Sequence, residues 1–485
     1  MNKPFIATAF TVCLLVCFGT VQAQLGNISK NIKKTQDKVE RELPKSGSAT
    51  AKPAPATQPA PTQRTNNTEA TAAPAATEGT DYYVCAATGK GKTASKEQPA
   101  KDISALSMQL KPGDRVHIAE GVYTSKMDQS TDVFEIPISI IGGYSPDFSR
   151  RDPWGAHKTV FSGSCDINKA ATTERIGILT DKGFKDWKGE ILVDGIIVDN
   201  GARNYYSDAD ETFIRRKANP ETGKNPTPNT PGIKIRAGSG TSVVIKNCVV
   251  TNVASSQGAI DVQVGKNGKA LIANCLVVNN TGEGIMCKTL HQGAEGIPAF
   301  TVSNCTVLFP WKYDAVASWG GNCLKFDGNL TITANNNVFG FGDYGGVDNI
   351  KQCKKVTLQN NLFVGHKLYD YREYNTNMSL GDLEDYANFI TPQSGKNFSE
   401  TIQLSLEKTW AERYFNRKEI SRAEVDASAK VSNSGANQLR AMFGLPLQAG
   451  SVGKDADIWL HRIQIEQVIA CGLKPYAHGS GCSKP

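Results

Sequence analysis

Apolar and polar residues alternate in five short stretches between Val243 and Gly365. Three of them end on one phrase: Val243-Val244-Ile245-Lys246-Asn247-Cys248, Ala270-Leu271-Ile272-Ala273-Asn274-Cys275 and Phe300-Thr301-Val302-Ser303-Asn304-Cys305. Two looser copies follow. One is Leu330-Thr331-Ile332 running into Asn335-Asn336-Asn337, the other Val356-Thr357-Leu358-Gln359-Asn360-Asn361. Alternation at period two predicts a strand with one buried face. An Asn closing each strand suits left-handed backbone, which Asn tolerates and most residues do not. The Asn residues recur every 24 to 32 positions or about that, a spacing that points to a solenoid.

Earlier stretches extend the pattern. Glu190-Ile191-Leu192-Val193-Asp194-Gly195, followed by Ile196-Ile197-Val198-Asp199-Asn200, reads as an early copy. Sequence able to fold begins at Asp81-Tyr82-Tyr83-Val84-Cys85. Ile103 to Leu110 is apolar at helical steps, Pro112-Gly113-Asp114 turns the chain, and Arg115-Val116-His117-Ile118-Ala119 alternates again. Gly121-Val122-Tyr123 comes next, then Ile136 to Ile141 leading into Gly142-Gly143-Tyr144, Arg151-Asp152-Pro153 and Thr159-Val160-Phe161-Ser162-Gly163. These phrases resemble the N-terminal start of secreted bacterial right-handed parallel β-helix repeat proteins of the pectate-lyase-like superfamily. The likeness runs from about Asp81 to Gly365 and implies an all-β solenoid. It leaves activity open, because this architecture hosts pectate, alginate and chondroitin lyases, hydrolases, tail spikes and adhesins. The sequence has neither the arginine-histidine-glycine phrase of the alginate/chondroitin group nor the Asp cluster of pectate lyases, so no catalytic residue is carried over.

The flanks set the context. Lys3, the apolar run Phe5 to Gly19 and the small residues ending at Ala23 predict a secretory signal over 1–23 and an exported protein. Residues 24–44 form a short amphipathic helix with Leu25, Ile28, Ile32, Val39 and Leu43 on its apolar side. Residues 45–80, nearly all Ala, Pro, Thr, Gln, Ser and Asn, make a disordered spacer. The β-helix is expected over 81–398, with Ile103 to Leu110 as a helical lid and a helical cap over 399–485. No later segment reaches the length of about 20 apolar residues that a membrane helix needs. The net charge of +7 is spread without a basic, aromatic-laced stripe, which speaks against nucleic acid.

The exported chain would carry an even number of cysteines, which invites disulfides. Cys471 with Cys482 is the first expected bridge and Cys323 with Cys353 the second. Cys248, Cys275 and Cys305 share one place in the repeat and are expected as small buried residues in an inward column.

Candidate chemistry lies on another strand of each coil. Ile233-Lys234-Ile235-Arg236 and Ile260-Asp261-Val262-Gln263 stand equally far ahead of Asn247 and Asn274. Ile285-Met286-Cys287-Lys288, Leu324-Lys325-Phe326-Asp327 and Val347-Asp348 continue the series. With the apolar residues inward, Lys234, Arg236, Asp261, Gln263, Lys288, Lys325, Asp327 and Asp348 point out as a ladder of both signs. Such a ladder suits an acidic polysaccharide or cell-surface glycan. Lys234, Arg236 and Lys288 would act as base or charge neutraliser, with Asp261, Gln263, Lys325 and Asp327 contacting substrate. Asp348 would hold a metal, with Ca²⁺ the natural choice for oxygen ligands. A polysaccharide lyase or hydrolase is one reading. The other is a non-catalytic structural or adhesive surface protein, because outward charges on neighbouring rungs also simply pair with each other. Tyr369, Tyr371, Tyr374 and Trp319 could stack on sugars but equally pack a solenoid end. His291 and His366 follow coil strands, where a lone His is commonly structural. The polar stretch from Gly201 to Pro231, with Asp208 to Glu211, interrupts the repeats and could wall a groove.

Overall fold

A computed structural model describes residues 79–125, 130–163, 173–201, 231–311, 320–342, 344–350, 353, 355–366, 368–382, 393–394, 397–400 and 464–485. All belong to the unit Pro74–Pro485. The expected signal, N-terminal helix and nearly all of the spacer, most of the polar loop, Trp319 and residues 401–463 of the expected cap lie outside the described residues.

The chain winds as a right-handed parallel β-helix, the sense that parallel crossovers adopt. Among the described residues, ten strands stack in one sheet and seventeen in a second. Each central coil gives a strand to the first sheet, turns at its Asn, and then gives a short and a longer segment to the second. Ser242–Lys246, Val249–Thr251 and Ala254–Val264 form one such coil. Among the described strands every pairing is parallel except that of Tyr369–Glu373 with Thr376–Met378. That hairpin covers a strand edge which would otherwise invite pairing with another chain.

The Asn positions are left-handed as expected: φ is 54° at Asn247, 50° at Asn274, 52° at Asn304, 56° at Asn336 and 54° at Asn360. Gly195 holds the same place one coil earlier, at φ 69°. A second left-handed column was not evident from the repeat phrase. It runs through Asn252, Asn279, Phe309, Phe341 and Gly365, at φ between 54° and 58°. Its early members are tied by side chains, with Asn279 Nδ2 donating to Asn252 Oδ1 at 2.9 Å. Its later members are two stacked rings, Phe309 and Phe341, with centroids 5.0 Å apart. A bulky residue at positive φ is strained, and the stack is the interaction that holds it there.

Inside, Cys248, Cys275 and Cys305 form the expected buried column. Asn337 and Asn361 continue it. Asn337 Nδ2 donates to Asn361 Oδ1 at 2.9 Å, and Asn361 Nδ2 donates to Ala334 O at 2.9 Å and to Asn397 Oδ1 at 3.0 Å. Rows such as Val243, Ala270, Phe300, Ile332 and Val356 fill the rest of the core.

Several expectations change. The lid is a single 3₁₀ turn, Ile103–Leu106, capped by Asp102 and buried at Ile103 and Leu106. The described part of the C-terminal segment lies along a flank of the solenoid. Its α-helix, Ile465–Gly472, packs on Val249–Thr251 and Leu276–Thr289. The tail then crosses coil after coil: Gly481 N donates to Asn336 O at 2.7 Å, Cys482 N to Thr306 Oγ1 at 3.0 Å and Ser483 N to Asn274 Oδ1 at 2.7 Å. The cause is the apolar pair after most of the turns. Both members are buried, Val250 and Val277 inward, Val249 and Leu276 outward. The expected Cys471–Cys482 bridge is absent, and both residues are buried free thiols. Cys482 Sγ turns to Gly472 O at 3.5 Å. Cys323 and Cys353 are likewise free and face different carbonyls, those of Val307 and Gly340 for one and Gly328 for the other. No helix among the described residues is long and apolar enough to cross a membrane.

Asn304→Val should lower the unfolding free energy by about 1–2 kcal/mol, the strain of an ordinary residue in left-handed backbone, while Asn304→Gly should be near neutral. Denaturant titration of both variants checks this; equal losses would remove backbone conformation as the reason for the Asn.

Candidate functional site

The ladder forms in the expected register. One outward row runs Lys234, Asp261, Met286, Lys325, Asp348, Arg372, and the next runs Arg236, Gln263, Lys288, Asp327. All eight residues picked from the alternation are therefore neighbours on one face. The expectation that they stand open to solvent fails for half of them. Asp261 and Asp348 are 0% exposed, Lys325 6% and Gln263 7%. Rungs lie about 4.8 Å apart, so the long side chains on either side close over a short Asp. Met286 and Lys234 flank Asp261 in this way, and Lys325 and Arg372 flank Asp348.

The later half of the ladder is a closed network. Lys325 Nζ lies 2.8 Å from Glu283 Oε1 and 3.8 Å from Asp348 Oδ2. Glu283 Oε2 accepts from Asn322 N and Nδ2 at 2.9 and 3.0 Å. Arg372 holds Asp348 with a fork, Nε to Oδ1 and Nη2 to Oδ2, both 2.8 Å. Its guanidinium lies 5.1 Å from the Tyr344 ring centre and 5.4 Å from that of Tyr369. The Tyr369 hydroxyl donates to Asn322 Oδ1 at 2.7 Å. Burial works against the Lys325 ammonium, but Glu283 and Asp348 outweigh it and hold its pKa above the ordinary value. Lys325 thus serves this network rather than a substrate. Asp348 has its oxygens on cations, and among the described residues no group of three His, Cys, Asp or Glu could hold a metal. Glu283 and Arg372 were missed in the sequence, although Arg372 continues the alternation of Tyr369 and Tyr371. Glu283 sits between two glycines at a corner, where alternation carries no signal.

The early half is looser. Arg236 Nη2 pairs with Asp181 Oδ2 at 2.7 Å, and that hydrogen bond raises its pKa further. Lys234 Nζ is 4.0 Å from Glu174 Oε2. Lys288 has no ion pair among the described residues. Asp261 has none either, and is bonded only by Gln263 Nε2, at 3.1 and 3.3 Å. Burial pushes the Asp261 carboxyl up, against the pull of Lys288, Lys234 and Arg236. A buried carboxyl with cations near but not touching it is a perturbed group, and such groups mark functional sites. Asp327 stands beside Lys288 in register.

The two histidines are held by local contacts. Burial pushes His366 down to about 3, so its ring is neutral, and its Nδ1 accepts from Gly342 N at 3.2 Å. His291 Nε2 donates to Glu295 O at 2.7 Å. Tyr369 and Tyr371 are buried, and Tyr374 is exposed.

No family model and no curated protein matches the chain. Among solved structures, the crystal structure of pectate lyase Pel9A is similar at 13% sequence identity and a TM-score of 0.34, over 73% of this chain and 86% of that one.

Asp261 gives a signed pH prediction. Its folded pKa is raised, so stability falls as pH rises from the ordinary aspartate value of about 3.9 through the folded value, and stays lower above it. Asp261→Asn should therefore raise Tm at about pH 8, with the gain vanishing below about pH 4. A lower Tm at pH 8 would show that the carboxylate stabilises the fold.

Proposed function

We propose that this is an exported carbohydrate-interacting β-helix protein whose ladder, at Lys234, Arg236, Asp261 and Lys288, receives an acidic glycan. The observation that carries the reading is the buried Asp261 carboxyl, which no cation among the described residues touches. Burial raises its pKa, and the cations beside it are loosely held: Lys288 has no ion pair among the described residues and Lys234 only a distant one. The carboxylate of a uronate unit would pair with them. Whether the bound glycan is also cleaved, by elimination or hydrolysis, is a finer version of the same reading. The second reading, a non-catalytic structural or adhesive surface protein, is favoured by the closed pairing of Glu283, Lys325, Asp348 and Arg372.

Titration of the purified chain with polygalacturonate and with neutral dextran tests the proposal. Polygalacturonate should bind and dextran should not, with affinity falling as salt rises. Lys288→Ala should weaken binding about tenfold, or about 1.4 kcal/mol. Absence of polygalacturonate binding, or equal binding of both polymers, would remove the acidic-glycan assignment.

A further inference from the structure

A second cluster of ionisable groups lies on the ten-stranded sheet, on the earliest coils. His117, in the strand Arg115–Ala119, stands in register with Tyr83 and points outward. Its ring stacks on Tyr83 at 5.1 Å with planes 20° apart. Nε2 is 2.9 Å from Asp81 Oδ1, and Nδ1 is 3.1 Å from the Tyr144 hydroxyl. Arg115 holds Asp81 through Nε at 2.6 Å and Nη2 at 3.0 Å, and this hydrogen bonding lowers the Asp81 carboxyl to about 2. A carboxylate can only accept, so Nε2 carries a hydrogen, and in the neutral imidazole Nδ1 accepts from the Tyr144 O–H. A phenol is thereby bonded to a base whose conjugate acid already has its counterion, the logic of a catalytic triad.

The surroundings carry positive charge. The Arg151 guanidinium lies 5.8 Å from the Tyr144 ring centre and pairs with Asp194 at 2.6 Å. Lys246 lies 3.6 Å from the same Asp194. Arg151 and Lys246 thus share the carboxylate of Asp194. Lys246 is 42% exposed, so an incoming anion can reach it. Tyr144 is half-buried, and burial raises its pKa while Arg151 opposes the rise, so the phenol is neutral at rest.

We propose that Asp81, His117 and Tyr144 form an acid–base relay acting on a uronate unit of a glycan, with Tyr144 as the catalytic residue and His117 and Asp81 as its proton store. The inference rests on the acidic-glycan reading for its substrate class, and places the chemistry on a different sheet from the ladder. In the step, the Tyr144 proton passes to His117 Nδ1 and the imidazolium stays paired with Asp81. The phenolate takes the proton from the carbon beside the uronate carboxylate. The electron pair of that C–H bond forms a C=C bond to the neighbouring ring carbon, whose bond to the glycosidic oxygen breaks. That oxygen leaves with the electron pair and takes the proton from Tyr144, and His117 then returns its own. No oxidant or reductant is needed.

The test incubates the full chain with polygalacturonate, alginate and hyaluronan and follows the ultraviolet absorbance of the unsaturated product. Wild type should form product from at least one polymer. Tyr144→Phe, which keeps the ring, should lose about 10²-fold or more of the rate with binding and Tm unchanged. His117→Gln should slow the reaction and remove the limb of its pH–rate profile set by the imidazole, which a purely structural histidine would not do. Binding without product overturns the relay and leaves the binding proposal standing. Product formation that survives Tyr144→Phe also overturns it, and absence of both binding and product overturns the two together.

Discussion

Each coil of a parallel β-helix must lie directly over the last, because its backbone hydrogen bonds go to its neighbours and not to itself. The chain therefore has to reverse at the same point in every turn, and that point is left-handed backbone. Gly195, Asn247, Asn274, Asn304, Asn336 and Asn360 meet this demand in six successive coils. Once that column is fixed, everything ahead of it falls into register. Lys234 stands beside Asp261, and Lys325 beside Asp348. The chemistry of the molecule follows from this stacking, since residues far apart in sequence become neighbours at one rung spacing.

Stacking also decides what becomes of outward charges. In an isolated sheet they would be solvated. On the ladder they cover one another, and a short carboxylate between longer side chains is cut off from water. Where cations reach it, as Arg372 and Lys325 reach Asp348, the result is a closed ion network. Networks of this kind are hard to break and add little net stability over a well-packed apolar core. Where the cations stop short, as around Asp261, burial shifts the carboxyl instead. The two halves of one ladder thus differ through a few ångströms of reach, and the early half is the one with charge to offer a ligand.

Much of the fold was legible because it rests on local rules. Period-two alternation located the strands, and an Asn at a fixed place located the turn. The inward Cys column followed from the same phrase. The second left-handed column was hidden because its members change type, from Asn252 and Asn279 to Phe309 and Phe341. The flank covered by the helix Ile465–Gly472 was signalled only by adjacent apolar pairs such as Val249-Val250. The ladder residues were found, but not their burial, which depends on side chains one coil away. Arg151, His117 and Tyr144 were noted as sequence phrases without their contacts, because nothing local says that they meet. The absent bridges show the same limit: a thiol pair needs its Cβ vectors to converge, and spacing does not reveal that.

Hydrogen exchange of the full chain, with and without polygalacturonate, tests the central claim most directly. The account predicts protection, on adding the polymer, of the amides in Ile233–Ala237, Ile260–Val264 and Ile285–Thr289, where Lys234, Asp261 and Lys288 stand. Unchanged exchange at all three segments, at polymer concentrations that bind the protein, would contradict it.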